Sequence, residues 1–299
     1  MRTKEGQIFR GAATALVTPF RGGGVDFDCL GRLIDRQIEA EIDALVICGT
    51  TGEASTLSEL EQRRVLSFAL ERSSGRIPMI AGTGSNDTAR AAEMSRFAAR
   101  IGYDALLVVT PYYNKASEAG LIKHFSAIAD ASQKPIILYN VPTRTCCNIT
   151  LPVYRELAKH EYIVGVKEAS GNISAVAEII AELGGYLDIY SGNDDQTLPM
   201  LALGGMGVIS VVSNVIPAEM AALCRAWFDG DMMGCRVLHE KYLTLMKAMF
   251  YDVNPIPVKT AMEMMELCTG ELRLPLCEVE DGVRGRIEGA MGGVALLGK

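Results

Sequence analysis

The chain reads Tyr162-Ile163-Val164-Gly165-Val166-Lys167-Glu168-Ala169-Ser170 through the sixth of its short apolar runs. A continuous β-branched run is typical of a strand that is buried on both faces, as in a parallel sheet. Lys167 ends the run, and burial disfavours a charged ammonium relative to the neutral amine that attacks a carbonyl. The alternative is a strand-end lysine whose long side chain reaches solvent. The stretch alone predicts a strand and leaves the role of Lys167 open.

Similar runs recur between residue 10 and about residue 210, and helix-length amphipathic segments separate them. The runs are Ala12–Val17, Ala44–Cys48, Pro78–Ala81, Ala105–Val109, Pro135–Tyr139, Ile163–Lys167, Leu187–Tyr190 and Gly207–Val211. The helical segments are Asp28–Ala40, Ser58–Arg72, Thr88–Arg100, Glu118–Ala131, Pro152–Lys159, Ser174–Leu183 and Asp194–Leu203. This alternation indicates parallel βαβ units. Eight units favour a closed (β/α)8 TIM barrel over an open doubly wound sheet, and no Gly-x-Gly-x-x-Gly follows the first run.

The strand pattern ends near Val215, and helices are predicted over the rest of the chain. They cover Pro217–Phe228, Met232–Phe250, Pro257–Cys268 and Cys277–Met291. No flexible linker separates the two parts. We therefore expect residues 1–215 to form the barrel and residues 216–299 to form a small C-terminal helical extension packed on it.

Composition narrows the range of functions. The 299 residues carry a formal net charge of −7 and show no basic cluster, which argues against a nucleic-acid partner. No apolar run is long enough to span a membrane, and the N-terminus lacks a convincing signal peptide, so a cytoplasmic protein is expected. The eight cysteines show no paired Cys-x-x-Cys spacing and are expected to be reduced.

Polar residues follow several runs at the carboxyl end, where (β/α)8 barrels place their active sites. Gly49-Thr50-Thr51-Gly52-Glu53 can hold a carboxylate through backbone N–H groups and hydroxyls, although an ordinary glycine-rich turn is the alternative. Tyr139 can transfer protons, and Arg144 can bind a carboxylate. The alternative role for Tyr139 is packing at the rim of the barrel, and the alternative role for Arg144 is an ion pair at the surface. Together with Lys167, these strand-end residues predict a Schiff-base lyase or aldolase that acts on a 2-oxo acid. The three histidines lie away from the strand ends, so no metal is expected.

The sequence resembles the dihydrodipicolinate synthase / N-acetylneuraminate lyase family from about residue 8 to the C-terminus. The motifs that carry the resemblance are Gly49-Thr50-Thr51-Gly52-Glu53, Thr110-Pro111-Tyr112-Tyr113, Tyr139-Asn140-Val141-Pro142 and Gly165-Val166-Lys167-Glu168. Within the family, Thr143-Arg144-Thr145 is similar to the synthases rather than to the sialic-acid lyases. The resemblance implies condensation of pyruvate with L-aspartate 4-semialdehyde, the first committed step toward diaminopimelate and lysine. It implies no cofactor, because pyruvate reacts as a covalent imine with the protein.

The resemblance also implies roles for individual residues. Lys167 would form the imine, and Tyr139, Thr51 and Tyr113 would form a proton relay, with Tyr113 reaching into a neighbouring subunit. Thr50 and Thr51 would hold the pyruvate carboxylate, and Arg144 the carboxylate of the semialdehyde. Gly192 and Ile209 would line the site through backbone carbonyls. The expected assembly is a homotetramer built as a dimer of dimers.

Two alternatives stay open, and one departure from the family is visible. The alternatives are another pyruvate-dependent aldolase of this family, such as an N-acetylneuraminate or 2-keto-3-deoxy-sugar-acid lyase, and a non-catalytic barrel that binds a keto acid. Family members inhibited by lysine use a histidine and a glutamate in the effector site, where this chain has Glu59 and Arg90. An arginine near the lysine ammonium places like charges together, so feedback inhibition by lysine is expected to be weak or absent.

Overall fold

The structure is a computed structural model that describes residues 7–297. Eight strands of this range form a closed barrel with the neighbour order β1-β10-β9-β8-β7-β6-β5-β4, which confirms the predicted TIM barrel. The barrel strands are β1 (Gly11–Ala15), β4 (Ala44–Ile47), β5 (Met79–Gly82), β6 (Ala105–Val109), β7 (Ile136–Asn140), β8 (Ile163–Glu168), β9 (Asp188–Ser191) and β10 (Gly207–Ser210). A separate antiparallel hairpin consists of β2 (Phe20–Arg21) and β3 (Gly24–Val25).

Helices follow the barrel strands and continue to the C-terminus. They are α1 (Phe27–Glu39), α2 (Glu59–Ser73), α3 (Thr88–Ile101), α4 (Glu118–Ser132), α5 (Pro142–Thr145), α6 (Leu151–Leu157), α7 (Ile173–Leu183), α8 (Thr197–Leu203), α9 (Pro217–Phe228), α10 (Met232–Ala248), α11 (Ile256–Met264) and α12 (Asp281–Gly292). Several begin at a side-chain cap: Ser58 and Glu61 form a reciprocal capping box at α2, which satisfies two otherwise unpaired N–H groups. Between residues 7 and 297, no helix is long and apolar enough to cross a bilayer.

The pairing of β7, β8 and β9 sets the position of Lys167. Tyr139 in β7 and Tyr190 in β9 are its direct neighbours across the sheet. The β7–β8 register shifts near its start, where Ile136 pairs with Ile163 and the next residue pairs with Gly165. A Cβ atom at Gly165 would lie 2.8 Å from the carbonyl oxygen of Asp188, so only glycine permits this close approach of β9.

The structure differs from the sequence-based expectations in several short segments. The hairpin β2–β3 is not predicted, because two-residue strands show no periodicity; its Gly22-Gly23 turn has positive φ at both positions, as a tight hairpin turn requires. The short helix α5 replaces an expected loop. The helix predicted from Cys277 begins instead at Asp281, because Glu280 is extended and occupies the N-cap position.

The described residues form two compact units. One comprises residues 7–10 and 78–209, and includes β5 to β9. The other comprises residues 11–77 and 210–297, in which α9 packs on β1, and α10 contacts both α9 and α12. The division of the chain at residue 215 remains a prediction.

Candidate active site

Lys167 lies almost fully buried near the carboxyl end of β8. The residue is only 4% exposed, and its Nζ lies 4.4 Å from the centre of the Tyr139 ring. Among residues 7–297, no carboxylate forms an ion pair with this nitrogen and no acceptor forms a hydrogen bond with it. The face of an aromatic ring attracts the end of a lysine side chain electrostatically, so the contact with Tyr139 helps to hold the Lys167 nitrogen in position. A buried amino group without an acidic partner is available for covalent chemistry.

A second buried lysine, Lys259 in α11, has the opposite surroundings. Its Nζ lies 2.5 Å from Oε1 of Glu53, and both side chains are 1% exposed. The same nitrogen donates a hydrogen bond to the carbonyl oxygen of Glu271 and lies 4.2 Å from the Phe20 ring centre. Burial lowers the pKa of Lys259, and the Glu53 carboxylate opposes this shift. Lys259 is therefore committed to a structural ion pair, which leaves Lys167 as the buried lysine suited to act as a nucleophile.

Gly192, which follows β9, leaves the space that the Lys167 side chain occupies. A Cβ atom at this position would lie 3.2 Å from Cε of Lys167 and 2.6 Å from Cβ of Ala169. Its backbone N–H donates to the carbonyl oxygen of Glu168 at 2.7 Å, which fixes the approach of the two segments. The structure thus places Gly192 directly beside Lys167. Ile209 is fully buried in β10.

Glu168, next to Lys167, is a buried carboxylate for which the sequence predicts no role. It accepts hydrogen bonds from the amide of Asn140, the hydroxyl of Tyr154 and the backbone N–H of Ser170, at 2.8 to 3.1 Å. Burial, followed by the charge of Glu168, raises the pKa of Tyr154 well above its ordinary value, so the phenol remains a donor. These bonds join the carboxyl ends of β7 and β8 to α6. An acidic residue directly after the strand-end lysine is the sequence signal that could have indicated this network.

Arg144 lies on α5, a single helical turn after β7, and its side chain is exposed. The turn is held by Thr145, whose hydroxyl accepts a hydrogen bond from Thr110 at 3.0 Å and donates to the carbonyl oxygen of Cys147 at 2.9 Å. Pro142 begins the turn with a φ already suited to a helix. These contacts therefore hold the backbone of α5 in place, while the side chain of Arg144 remains exposed.

Tyr113 lies on the loop after β6 and is 90% exposed, with a positive φ of 72°. The loop is anchored on either side of Tyr113, because Asn86 donates to the carbonyl oxygen of Tyr112 at 3.2 Å and Asn114 donates to that of Asn86 at 2.9 Å. The ring thus projects from an ordered loop. Positive φ is uncommon in residues other than glycine, and such residues occur at turns, at helix ends and at functional loops.

Thr50 and Thr51 lie in the turn after β4, within the second compact unit. Gly52 N–H donates to the Gly49 carbonyl, and the Thr18 hydroxyl donates to the Gly52 carbonyl at 2.7 Å. Thr51 is buried, and its Oγ1 accepts a hydrogen bond of 2.9 Å from the side-chain amide of Asn254. The turn is therefore tight, ordered and held from the C-terminal part of the chain, which the sequence did not reveal.

The three histidines lie on or beside helices, as the sequence indicated. His124 lies in α4, with its Nδ1 2.9 Å from the Thr88 hydroxyl, His239 lies in α10, and His160 follows α6 and contacts Asp130. Within the described part of the chain, no group of three or more His, Cys, Asp or Glu residues is arranged to hold a metal ion.

The fold and these residues define a (β/α)8 barrel protein with a buried lysine near the carboxyl end of the sixth barrel strand, and this lysine has no ion-pair partner in the part of the chain that the structure describes. The model of the dihydrodipicolinate synthetase family matches residues 8–291, and the chain belongs to that family.

Individual relatives agree with this membership. A 4-hydroxy-tetrahydrodipicolinate synthase of Thermoanaerobacter sp. strain X514 is 52% identical over 92% of this chain and 93% of its own. The solved structure of dihydrodipicolinate synthase from Aquifex aeolicus has a TM-score of 0.94 and 43% identity, and the alignment covers 96% of this chain and 99% of that one. A structure of the enzyme from Acinetobacter baumannii in complex with pyruvate has a TM-score of 0.94 and 38% identity, with the same coverage.

Proposed function

We propose that the protein catalyses the reaction of 4-hydroxy-tetrahydrodipicolinate synthases, the condensation of pyruvate with L-aspartate 4-semialdehyde. The single observation that carries the proposal is the contrast between two buried lysines: Lys259 is paired with Glu53, whereas Lys167 has no acidic partner among residues 7–297 and lies against Tyr139. A relative of that name that is 52% identical over nearly the whole chain supports the choice of reaction. A related structure in complex with pyruvate supports the keto acid.

In the proposed mechanism, the neutral Lys167 amine attacks C2 of pyruvate, and loss of water gives a protonated imine. The imine withdraws electrons, so a proton leaves C3 and an enamine forms. The C3 carbon of the enamine then attacks the aldehyde carbon, and the resulting alkoxide takes up a proton. Finally, the amino group that the semialdehyde brings attacks C2, closes the ring and releases Lys167. No cofactor or metal is needed, because the imine itself supplies the electron sink.

The remaining residues are assigned by chemistry and by the resemblance. Tyr139, Thr51 and Tyr113 are proposed to carry protons through their hydroxyls. Thr50 and Thr51 are proposed to bind the pyruvate carboxylate. Arg144, exposed on its rigid turn, suits a carboxylate that arrives from solvent, as the semialdehyde does. Gly192 and Ile209 are proposed to contribute backbone carbonyls.

The exposure of Tyr113 supports the proposed assembly. A tyrosine that is 90% exposed on an anchored loop is suited to enter the site of a second copy. We propose a homotetramer built as a dimer of dimers, located in the cytoplasm, where lysine and diaminopimelate are made.

Weak feedback inhibition by lysine is also proposed. Glu59 at the start of α2 forms an ion pair with Arg63, with 2.7 Å between Oε1 and the guanidinium, which partly neutralises its charge. Arg90, exposed in the first turn of α3, adds a positive charge. Inhibition by sub-millimolar lysine in a coupled assay would contradict this proposal.

The proposed activity is tested by comparing two reactions of the same preparation. Turnover of pyruvate with L-aspartate 4-semialdehyde is expected, together with little or no cleavage of N-acetylneuraminate. The reverse preference would favour the lyase alternative. Absence of both reactions, with pyruvate binding retained, would favour a non-catalytic keto-acid-binding barrel.

A further inference from the structure

The hydroxyl of Thr51 receives a hydrogen bond from a residue that is far away in sequence. Nδ2 of Asn254 donates to Oγ1 of Thr51 at 2.9 Å, and both residues are buried. A side-chain amide nitrogen only donates, so the threonine oxygen acts as an acceptor in this contact. The hydroxyl proton of Thr51 must then point elsewhere, and its direction is restricted before any substrate arrives.

The segment that carries Asn254 is itself anchored to the same turn. Asn254 lies just before α11, and Lys259 of α11 pairs with Glu53, two residues beyond Thr51. Oε2 of Glu53 also accepts a hydrogen bond from the backbone N–H of Arg273 at 3.2 Å. Both ends of residues 254–259 thus contact the turn, one at the Thr51 hydroxyl and the other at the Glu53 carboxylate. This double attachment fixes the distance between Asn254 and Thr51.

We propose that Asn254 is a positioning residue that makes Thr51 a proton donor in the relay. The inference rests on the proposed function, because the relay has a role only if an alkoxide or carbanion must be protonated. A donor whose direction is restricted beforehand needs less reorganisation as charge develops in the transition state. Lys259 and Glu53 contribute indirectly, because their ion pair holds the segment 254–259 that carries the Asn254 side chain.

Substitution with aspartate distinguishes this role from a structural one. Asn254→Asp preserves the size of the side chain, but an ionised carboxylate only accepts, so it would accept a hydrogen bond from the Thr51 hydroxyl and reverse the direction of the contact. Asn254→Ala removes the partner and leaves the hydroxyl free to rotate. The expected order of kcat is therefore wild type, then Asn254→Ala, then Asn254→Asp.

The experiment measures kcat against pH, the KM for pyruvate, the melting temperature, and borohydride trapping of pyruvate for each protein. Asn254→Ala is expected to lose about fivefold in kcat, the effect of one hydrogen bond, and Asn254→Asp at least about tenfold. Both should still trap pyruvate. The Asn254→Asp deficit should shrink as the pH is lowered, because a protonated carboxyl group can donate. Asn172→Asp, at the exposed N-cap of α7, serves as the matched control and should leave kcat unchanged.

Equal kcat values and identical pH profiles for wild type and both variants would overturn the inference. So would losses of kcat that simply follow losses of trapping and melting temperature, since these indicate a structural role. If Asn254→Asp does not fold, Asn254→Ala decides alone, and a kcat equal to wild type overturns the inference. Failure of the wild type itself to trap pyruvate would instead refute the proposed function.

Discussion

Replacing Lys259 with methionine should strongly destabilise the protein, because it leaves Glu53 as a buried carboxylate without its cation. In the native structure, Lys259 is fully buried, its Nζ lies 2.5 Å from Oε1 of Glu53, and it donates to the Glu271 carbonyl at 2.7 Å. Removing one partner of a buried ion pair costs about 3–5 kcal/mol. Since about 1 kcal/mol shifts the melting temperature of a large domain by roughly 2–4 °C, we expect a drop of roughly 6–20 °C.

The assay is thermal unfolding at fixed protein concentration and neutral pH, with Lys123→Met on the exposed side of α4 as the control. The control should melt within about 2 °C of the wild type, since exposed substitutions rarely exceed about 0.5 kcal/mol. Combining Glu53→Gln with Lys259→Met removes the uncompensated charge and should recover a substantial part of the loss. Two results would refute the claim that an unpaired, buried Glu53 carboxylate destabilises the fold. One is a melting temperature of Lys259→Met equal to that of the control, and the other is a double variant that melts lower than Lys259→Met.

Three further outcomes are expected. Gly192→Ala should cost about 1–3 kcal/mol of stability and reduce pyruvate trapping at least about tenfold, because the added methyl group would lie 3.2 Å from Cε of Lys167. Unchanged melting temperature and unchanged trapping would contradict this prediction. Arg273 lowers the pKa of Glu61 to about 2 from 4.5, so the Glu61 contribution to stability is present above pH 4.5 and is lost as the pH falls toward 2. The difference in melting temperature between wild type and Glu61→Gln should therefore shrink as the pH falls from about 4.5 to about 2, and a constant difference would be inconsistent with this linkage. Arg144→Ala should lower kcat/KM for the semialdehyde by about 10- to 100-fold, the effect of a charged hydrogen bond, while pyruvate trapping persists; equal loss of both would remove its assigned role.

The barrel could be predicted from sequence because its strands are buried on both faces. Such strands appear as continuous apolar runs, and the observed bounds of β6, Ala105–Val109, are the predicted ones. The hairpin Phe20–Val25 could not be predicted, because its strands are two residues long and its formation depends on a Gly-Gly turn. The turn Pro142–Thr145 escaped prediction for a similar reason: one helical turn is too short to show a period.

The strand-end rule located Lys167 and Tyr139, since it depends only on where a run ends. The contacts that distinguish the two buried lysines are invisible to any such rule. Lys259 meets Glu53, and Asn254 meets Thr51, across more than two hundred residues of sequence. Local patterns carry no signal for contacts of this kind. The sequence could therefore propose Lys167 as the nucleophile from its place at a strand end and from the resemblance, whereas the structure adds the contrast between the two buried lysines.

The most direct test of the central role of Lys167 is the site of pyruvate attachment. The protein is incubated with pyruvate, reduced with borohydride, digested and mapped by mass spectrometry. Reduction of the imine adds pyruvate less one water plus two hydrogens, about 72 Da, to the modified lysine. The proposed mechanism predicts one such adduct, on the peptide that contains Lys167, and none after Lys167→Ala. An adduct on Lys259, or no adduct at saturating pyruvate, would contradict it.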